Sequence, residues 1–202
     1  MIIETAVKTA IQPLRTDEDQ EDVADVEEDD AVSGEWKPDF HWLTEHVAVG
    51  GCFPVERTAE LADRHGIRAI VDLRAESCDD KASLATAGIA LLHLPTPDLE
   101  AASCDHLERG VRFVAERVER KEKVLIHCQH GIGRSALLAL CVLVDQGWKP
   151  LDALLHAKGR REAVSPSLSQ FEGWTAWLRS RGVEPPDYHS FGCIAYRHLA
   201  RG

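Results

Sequence analysis

The sequence His127-Cys128-Gln129-His130-Gly131-Ile132-Gly133-Arg134-Ser135 joins a predicted strand to a predicted helix. The apolar run before it, residues 123–126, is typical of a short buried strand. The apolar run after it, residues 136–144, predicts a buried helix that ends near Gly147. Such a loop directs backbone N–H groups, and the positive end of the helix dipole, toward whatever it encloses. The sequence therefore predicts an oxyanion site.

The side chains of this loop fit phosphate chemistry. Gly131 and Gly133 allow the backbone to curl, so that successive amides can converge on one phosphoryl group. The same positive field stabilises a thiolate, and cysteines at helix N-termini titrate at roughly 3.5–7.5 instead of about 8.5, so Cys128 is a candidate nucleophile. The planar guanidinium of Arg134 matches two phosphoryl oxygens. The Ser135 hydroxyl can donate a hydrogen bond to the Cys128 sulfur.

These residues resemble the Cys-x5-Arg-Ser/Thr signature of the protein tyrosine phosphatase superfamily, and the surrounding pattern is similar to its small dual-specificity branch. The resemblance implies a phosphomonoesterase that works through a phosphocysteine intermediate, without metal or cofactor. Cys128 would attack phosphorus while Arg134 and the loop amides hold the equatorial oxygens. The other phosphate-binding positions are Gln129, His130, Gly131, Ile132 and Gly133. A buried cysteine in a glycine turn, the plainer alternative, does not explain why an arginine begins an apolar helix.

The reaction also needs a proton donor, because an alkoxide or phenoxide departs poorly near neutral pH. Asp98 follows the predicted strand at residues 89–94, on a loop that contains two prolines. The general acid of the family occupies a similar loop, so both arguments favour Asp98. Glu100 and Asp105 are nearby alternatives. In the second step the same carboxylate would act as a base toward water.

Three further polar residues are candidates for supporting roles. His127 is expected to orient the loop by hydrogen bonding to backbone, a role that the family assigns to this position. His130 can line the pocket and tune substrate preference. Gln170 resembles the glutamine with which some family members hold the attacking water, and a surface glutamine near a helix start is the alternative. The two histidines and Cys128 make a poor tetrahedral zinc cage, so no metal is predicted.

Hydrophobic periodicity predicts an α/β fold. The predicted strands are two short ones near residues 36–51 and three at 67–73, 89–94 and 123–126; the predicted helices are at 56–65, 105–120, 136–144, 150–161 and 168–178. Because strands alternate with helices and helices end the domain, we expect a mainly parallel central sheet flanked by helices, with the ligand at the carboxyl ends of the strands. Asp72 and Arg74 are expected to pair with each other or to cap loops.

The charge is distributed unevenly along the 202 residues. Residues 1–33 hold eleven acids against two bases, and so carry −9 of the net charge of −11. Such segments are usually disordered, and an autoinhibitory arm that folds onto the cleft is the alternative. We expect an acidic extension over residues 1–33, a phosphatase domain over 34–182 and a tail over 183–202 that can pack on the domain.

The nearly neutral body argues against nucleic acid as the main partner. The six cysteines contain no Cys-x-x-Cys pair, and neither a signal peptide nor a membrane span is recognisable, so we expect a cytoplasmic protein. Cys52, Cys78 and Cys104 are candidates to capture an oxidised Cys128 as a reversible disulfide. The sequence makes no prediction of the oligomeric state.

The expected substrate follows from a residue type that is absent between Cys128 and Arg134. The loop contains no lysine, which phosphoinositide-cleaving relatives tend to place there, so the expected substrate is a phosphorylated protein that carries phosphotyrosine or phosphoserine/threonine. Inositol phosphates, phosphoinositides, nucleotides and RNA 5′-phosphates are alternatives within the enzyme class. Outside that class, a phosphoprotein-binding module would typically lack the nucleophile or the acid. Ser135 and the Asp98 loop favour a phosphatase over a rhodanese-like sulfurtransferase or an arsenate reductase.

Overall fold

The computed structural model of the protein describes residues 36–197. In chain order the elements are β1 (Phe40–Trp42), β2 (Val47–Gly50), α1 (Thr58–Asp63), β3 (Ile67–Arg74), α2 (Lys81–Thr86), β4 (Ala90–Thr96), α3 (Cys104–Glu119), β5 (Lys123–His127), α4 (Arg134–Asp145), α5 (Pro150–Arg160), α6 (Leu168–Ser180) and α7 (Tyr188–Ala195).

The five strands form one sheet in the order β1-β2-β5-β3-β4. β1 runs antiparallel to β2, and all the other neighbouring strands are parallel. The central strand β5 is buried along its apolar run, as expected for a parallel strand with both faces covered. β4 contains Pro95, which an edge strand tolerates because one side of it lacks a ladder partner. The predicted mainly parallel sheet flanked by helices is confirmed.

The register of the parallel strands brings their carboxyl ends to one edge of the sheet. His127 of β5 lies opposite Gly50 of β2 and Asp72 of β3. Asp72 in turn lies opposite His93 of β4. The loops that follow β2, β3, β4 and β5 therefore leave the sheet side by side, at the edge where a ligand site is expected.

Helix α4 lies at the centre of the molecule. Every residue from Arg134 to Val144 is buried, and the helix contacts β2, β3, β5, α3, α5 and α6. A helix that is apolar on all sides is one that packs on all sides, which explains the absence of a polar face in its sequence. Although α4 is apolar, it has only 12 residues, and no helix within residues 36–197 is both long and apolar enough to cross a membrane.

Helix α2 is an element that the sequence analysis did not predict, because its residues follow a polar loop. Its N-terminus is capped by Asp80, whose side chain accepts a hydrogen bond from the Ser83 N–H at 2.7 Å. The chain leaves the helix through Gly88, at a φ of 69° that favours glycine. The cap and the glycine were the available signals, and the helix between them has only six residues.

Two predicted helices begin at different residues in the structure. The helix expected over residues 56–65 starts as a 3₁₀ turn, Val55–Arg57, and is α-helical from Thr58. The helix expected from residue 136 starts at Arg134. The arginine is therefore the first residue of the helix, and because β5 also includes His127, the oxyanion loop is three residues shorter than predicted.

The chain after residue 182 packs on the helices before it. Phe191 of α7 is fully buried, and its ring lies 4.7 Å from that of Phe171 in α6, measured between centroids. The expected acidic extension, residues 1–33, lies outside the described residues, as do residues 198–202. The domain boundaries proposed from the sequence stay predictions.

Replacing Leu140 by alanine is expected to destabilise the protein by about 2–5 kcal/mol, because the side chain is fully buried in α4 and its removal leaves a cavity. Leu155→Ala in α5 is the matched control, since Leu155 is 49% exposed, and should change the free energy of unfolding by about 0.5 kcal/mol or less. Urea denaturation measures both. Equal losses would contradict the central position of α4.

Candidate active site

The loop between β5 and α4, residues 128–133, is called the cysteine loop below. It borders a cavity of about 150 Å³ that brings together seven of the predicted site residues, namely Asp98, Cys128, His130, Ile132, Gly133, Arg134 and Gln170. Gln129 has an exposed side chain and is not part of the cavity wall. A larger groove of about 550 Å³ lies between α1 and α2, but the described residues around it include no cysteine, histidine or basic side chain.

Cys128 is 3% exposed and is surrounded by hydrogen-bond donors. Its sulfur lies 3.3 Å from the Ser135 hydroxyl oxygen, as predicted. Burial raises the pKa of the Cys128 thiol, but hydrogen bonds from the Ser135 hydroxyl and from the backbone N–H groups of Ser135, Gly131 and His130 outweigh burial, so this pKa lies below its ordinary value. Cys141, which is buried in α4, has a pKa well above the ordinary value because burial dominates there.

Both glycines of the cysteine loop lie close against neighbouring residues. Gly131 has a φ of 65°, and a Cβ atom there would lie 2.4 Å from the carbonyl carbon of Gly50. A Cβ atom at Gly133 would lie 2.4 Å from the Gln170 side-chain oxygen. The path of the backbone therefore requires glycine at position 131, whereas a side chain at position 133 would displace the Gln170 amide.

Arg134 is 1% exposed in its side chain and is held from one side by Glu76. Nη1 and Nη2 donate to the two Glu76 carboxylate oxygens at 2.7 and 2.8 Å, and Nη1 also donates to the Thr96 carbonyl at 3.0 Å. The hydrogen bonds from Arg134 lower the pKa of Glu76 to about 2. The buried Nε–H of Arg134 has no hydrogen-bond partner among residues 36–197, and is therefore a donor available to an oxyanion.

Asp98 lies at the cavity, whereas its two predicted competitors do not. Its carboxylate oxygen is 3.2 Å from Nη2 of Arg134, and the side chain is 66% exposed. Glu100 and Asp105 are not among the residues that line the cavity, and Asp105 pairs instead with Arg109 on α3. Of the three carboxylates, Asp98 alone is placed to reach an atom bound at the cavity.

The loop that carries Asp98 is attached to the start of α6. The Ser167 hydroxyl donates to the Leu99 carbonyl at 2.6 Å, and the Gln170 amide donates to the Glu100 carbonyl at 3.2 Å. The Gln170 side-chain oxygen also accepts from the Ser167 N–H at 2.8 Å, which completes a capping box. Gln170 is thus 1% exposed instead of lying at the surface. Its expected role with the attacking water stays a prediction.

His127 contacts a carboxylate as well as backbone. Nε2 lies 2.7 Å from Asp79, and Nδ1 lies 3.4 Å from the Cys128 carbonyl oxygen. Asp79 also pairs with Arg74, which donates to Asp72 through Nε and Nη2 at 3.0 and 2.9 Å. The expected pairing of Asp72 with Arg74 is confirmed, and the pair anchors the residue before the nucleophile.

Two groups of side chains near this network could in principle hold a metal ion: Asp72, Asp79 and His127, and Asp72, Cys78 and His93. Both groups contain the Asp72 carboxylate, to which Arg74 makes two hydrogen bonds. The second group also contains His93, whose Nε2 donates to the Arg74 carbonyl at 2.7 Å. A divalent cation would therefore have to displace a buried guanidinium, so neither group is a suitable metal site.

Sequence reasoning missed Glu76 and Asp79. Both follow β3 at the edge where the cysteine loop follows β5. Because the carboxyl ends of parallel strands meet at one edge, acidic residues directly after a predicted parallel strand were the available signal.

The proteins that this chain resembles in sequence are phosphatases. The family model described as "Polymorphic toxin system, DSP-PTPase phosphatase" matches residues 50–148, a span that contains the cysteine loop and Asp98. "Putative tyrosine phosphatase 123R" of Invertebrate iridescent virus 6 is 30% identical over 95 residues, which are 43% of this chain and 67% of the viral protein. Mouse dual specificity protein phosphatase 22 is 27% identical over 151 residues, 67% of this chain and 78% of the mouse protein.

A shorter match covers only part of a longer relative. Tyrosine-protein phosphatase yvh1 of Schizosaccharomyces pombe is 35% identical over 65 residues, and these cover 32% of this chain and 20% of yvh1.

Solved structures share the fold. The crystal structure of Tk-PTP in its active form has a TM-score of 0.65 and 26% identity, and the match covers 71% of this chain and 99% of that one. PTPMT1 in complex with PI(5)P has a TM-score of 0.66 and 22% identity over the same shares of the two chains. The chain therefore belongs to the protein tyrosine phosphatase superfamily, in its dual-specificity branch, and with it to the cysteine-dependent phosphoric monoester hydrolases.

Replacing Ser135 by alanine should raise the pKa of Cys128, because it removes a hydrogen bond that stabilises the thiolate. At a pH below the ordinary thiol value the thiolate fraction falls, so alkylation of Cys128 by iodoacetamide at pH 6 should slow roughly tenfold. Mass spectrometry of the Cys128 peptide measures the rate. Exposed Cys78 and Cys104 in the same sample are internal controls whose rates should stay constant. An unchanged Cys128 rate would show that the hydroxyl does not stabilise the thiolate.

Proposed function

We propose that this protein is a protein phosphatase that hydrolyses phosphotyrosine or phosphoserine/threonine through a phosphocysteine intermediate on Cys128. One observation carries the proposal: a buried thiol with a lowered pKa accepts hydrogen bonds from two amides of its own loop and from Ser135. Arg134 and Asp98 lie beside it at the same cavity. Nucleophile, oxyanion donors and acid are the parts that phosphoryl transfer to sulfur requires.

In the first step the Cys128 thiolate attacks phosphorus. The bond between sulfur and phosphorus forms as the bond from phosphorus to the ester oxygen breaks, and Asp98 donates a proton to that leaving oxygen. The loop amides and Nε of Arg134 hold the equatorial oxygens, where negative charge is spread in the transition state.

In the second step water attacks the phosphocysteine. Asp98, now a carboxylate, accepts a proton from the water while the bond between sulfur and phosphorus breaks. The departing sulfur becomes a thiolate again, and the Ser135 hydroxyl donates a hydrogen bond to it. Gln170 lies against Gly133 of the loop, and we propose that it holds this water.

The surroundings of the cavity favour a phosphorylated side chain over a polyanionic substrate. Leu99 and Ile132 line it and are 68% and 40% exposed, so they offer apolar contact to the carbon skeleton of a phosphoresidue. The carboxylates of Glu76 and Asp98 flank Arg134. Because further phosphates would approach these carboxylates, inositol phosphates and phosphoinositides remain the second choice despite the fold shared with PTPMT1.

The proposed setting is the cytoplasm, since a nucleophilic thiol stays reduced there.

The decisive experiment compares the full-length protein with Cys128→Ser on phosphotyrosine peptides, phosphoserine/threonine peptides, inositol phosphates and phosphoinositides. Phosphopeptide turnover should be highest and should fall more than about 10³-fold in Cys128→Ser. The measurement is phosphate release, with thiosulfate as sulfurtransferase control substrate. Near-normal release by Cys128→Ser would contradict the mechanism, and a preference for inositol phosphates would contradict the substrate class.

Asp98→Ala should reduce turnover by roughly 10²- to 10⁴-fold on substrates with a poorly departing alkoxide. It should reduce turnover much less on an aryl phosphate whose leaving group has a low pKa, because such a group needs little protonation. Steady-state kinetics on a series of phosphate esters measures the dependence. Asp105→Ala is the matched control and should behave like the unaltered protein. A uniform loss across the series would assign Asp98 a role other than that of the acid.

A further inference from the structure

The backbone carbonyls of the cysteine loop all have partners outside the loop. Four consecutive carbonyl oxygens accept hydrogen bonds: Gln129 from the Cys52 N–H at 3.1 Å, His130 from Arg161 Nη2 at 2.8 Å, Gly131 from Arg161 Nε at 2.9 Å and Ile132 from the Ser165 N–H at 2.9 Å. Two of the four are thus held by one side chain, which follows α5 and lies about thirty residues further along the chain.

Holding a carbonyl fixes the amide on the other side of the same peptide bond. In a planar trans peptide the C=O of one residue and the N–H of the next point in opposite directions. The hydrogen bond from Arg161 to the His130 carbonyl therefore sets the direction of the Gly131 N–H, which points to the Cys128 sulfur. The bond to the Gly131 carbonyl sets the Ile132 N–H in the same way.

Arg161 is itself held in place by two residues at β1, Asp39 and His41. It is 5% exposed, and Nη1 and Nη2 donate to the two Asp39 carboxylate oxygens at 2.6 and 2.9 Å. Nη1 also lies 3.1 Å from Nδ1 of His41. The contacts to Asp39, His41 and the two loop carbonyls engage all five N–H groups of the guanidinium. A lysine has three donors in a different geometry and could not make these contacts.

The ion pair alone does not account for burying this arginine. The Asp39 side chain is 57% exposed, and ion pairs with an exposed partner contribute little to stability. Arg161 bonds to the His130 carbonyl, which precedes the Gly131 N–H that faces Cys128, and to the Gly131 carbonyl, the next one along the loop. The burial of the Arg161 side chain is therefore better explained by its hydrogen bonds to the cysteine loop than by its ion pair with Asp39.

We propose that Arg161, anchored by Asp39, is a positioning residue of the phosphatase reaction, which turns two loop carbonyls outward so that the following amides face the phosphoryl group. The inference rests on the proposed function of the cysteine loop. It adds a residue that touches neither the substrate nor Cys128, and acts through the backbone of His130 and Gly131.

The test compares Arg161→Lys and Arg161→Gln with Arg160→Gln, a matched control because Arg160 is the exposed neighbour on the same helix end. Three readouts are measured on folded, full-length protein. They are the pH profile of Cys128 alkylation by iodoacetamide, kcat and KM for an aryl phosphate, and the dissociation constant of inorganic phosphate. Thermal unfolding is recorded for each variant.

In both Arg161 variants we expect the alkylation midpoint to move to higher pH and phosphate to bind more weakly. The kcat should fall on the order of 10²-fold, the loss typical of one oxyanion-hole donor, while KM changes less. Arg160→Gln should match the unaltered protein in every readout. Arg161→Lys should keep the positive charge without restoring kcat. This result would separate the effect of the guanidinium shape from the effect of its charge.

The proposal is overturned if folded Arg161→Lys has the alkylation profile and the kcat of the unaltered protein within about twofold. It is also overturned if neither Arg161 variant folds, because the residue would then serve stability. Failure of the proposed function gives a different result: the unaltered protein would not hydrolyse phosphate esters, yet alkylation and phosphate binding would still respond to Arg161.

Discussion

The backbone of the cysteine loop must present its N–H groups to one point while its carbonyls bond elsewhere. A buried carbonyl without a partner costs roughly as much as a lost hydrogen bond, so each one needs a donor from the rest of the fold. The donors lie after β2, after α5 and before α6. Two segments distant in sequence, the one after β2 and the connection between α5 and α6, therefore have to converge on six residues. The helices that follow the loop complete the site as well as covering the core.

A second constraint is the charge of Arg134, which lies near a thiolate at the end of a buried helix. Nη1 and Nη2 of Arg134 donate to Glu76, and Nε has no partner among residues 36–197, so the guanidinium is fixed by the carboxylate while Nε stays available to a ligand. The pKa of Glu76 is lowered from 4.5 to about 2. A carboxylate with a lowered pKa stabilises the fold above its ordinary value, and that contribution is lost as the pH falls through about 2. The pair is therefore intact across the range in which a phosphatase acts.

The parts of the site predictable from local patterns alone were those encoded within a short segment, whereas Asp98 and Gln170, which also line the cavity, were predicted with the help of the family resemblance. The positions of Cys128, Arg134 and Ser135 follow from one strand, one glycine turn and one helix, which local patterns specify. Glu76 and Arg161 could not be assigned in this way, because their partners lie 58 and about thirty residues away. Which side chain meets which loop depends on strand order and helix packing, and a single sequence does not display either. The short helix α2 was not predicted for another reason, since six residues are too few to show a hydrophobic periodicity.

The loop that carries Asp98, called the acid loop here after the role proposed for that residue, is held in one conformation by the rest of the fold. Leu99 has a φ of 62°, a conformation that costs a residue with a side chain about 1–2 kcal/mol. It is maintained because Ser167 and Gln170 bind the carbonyls of Leu99 and Glu100. Asp98, the preceding residue, is thereby held with a carboxylate oxygen 3.2 Å from Nη2 of Arg134. Both polar atoms of the Gln170 side chain take part in this arrangement. Its oxygen accepts a hydrogen bond at the start of α6, and its nitrogen donates one to the acid loop. The second N–H of its nitrogen and the second lone pair of its oxygen remain to orient a water molecule, so the bonds that anchor the acid loop also fix the directions in which Gln170 could act on water.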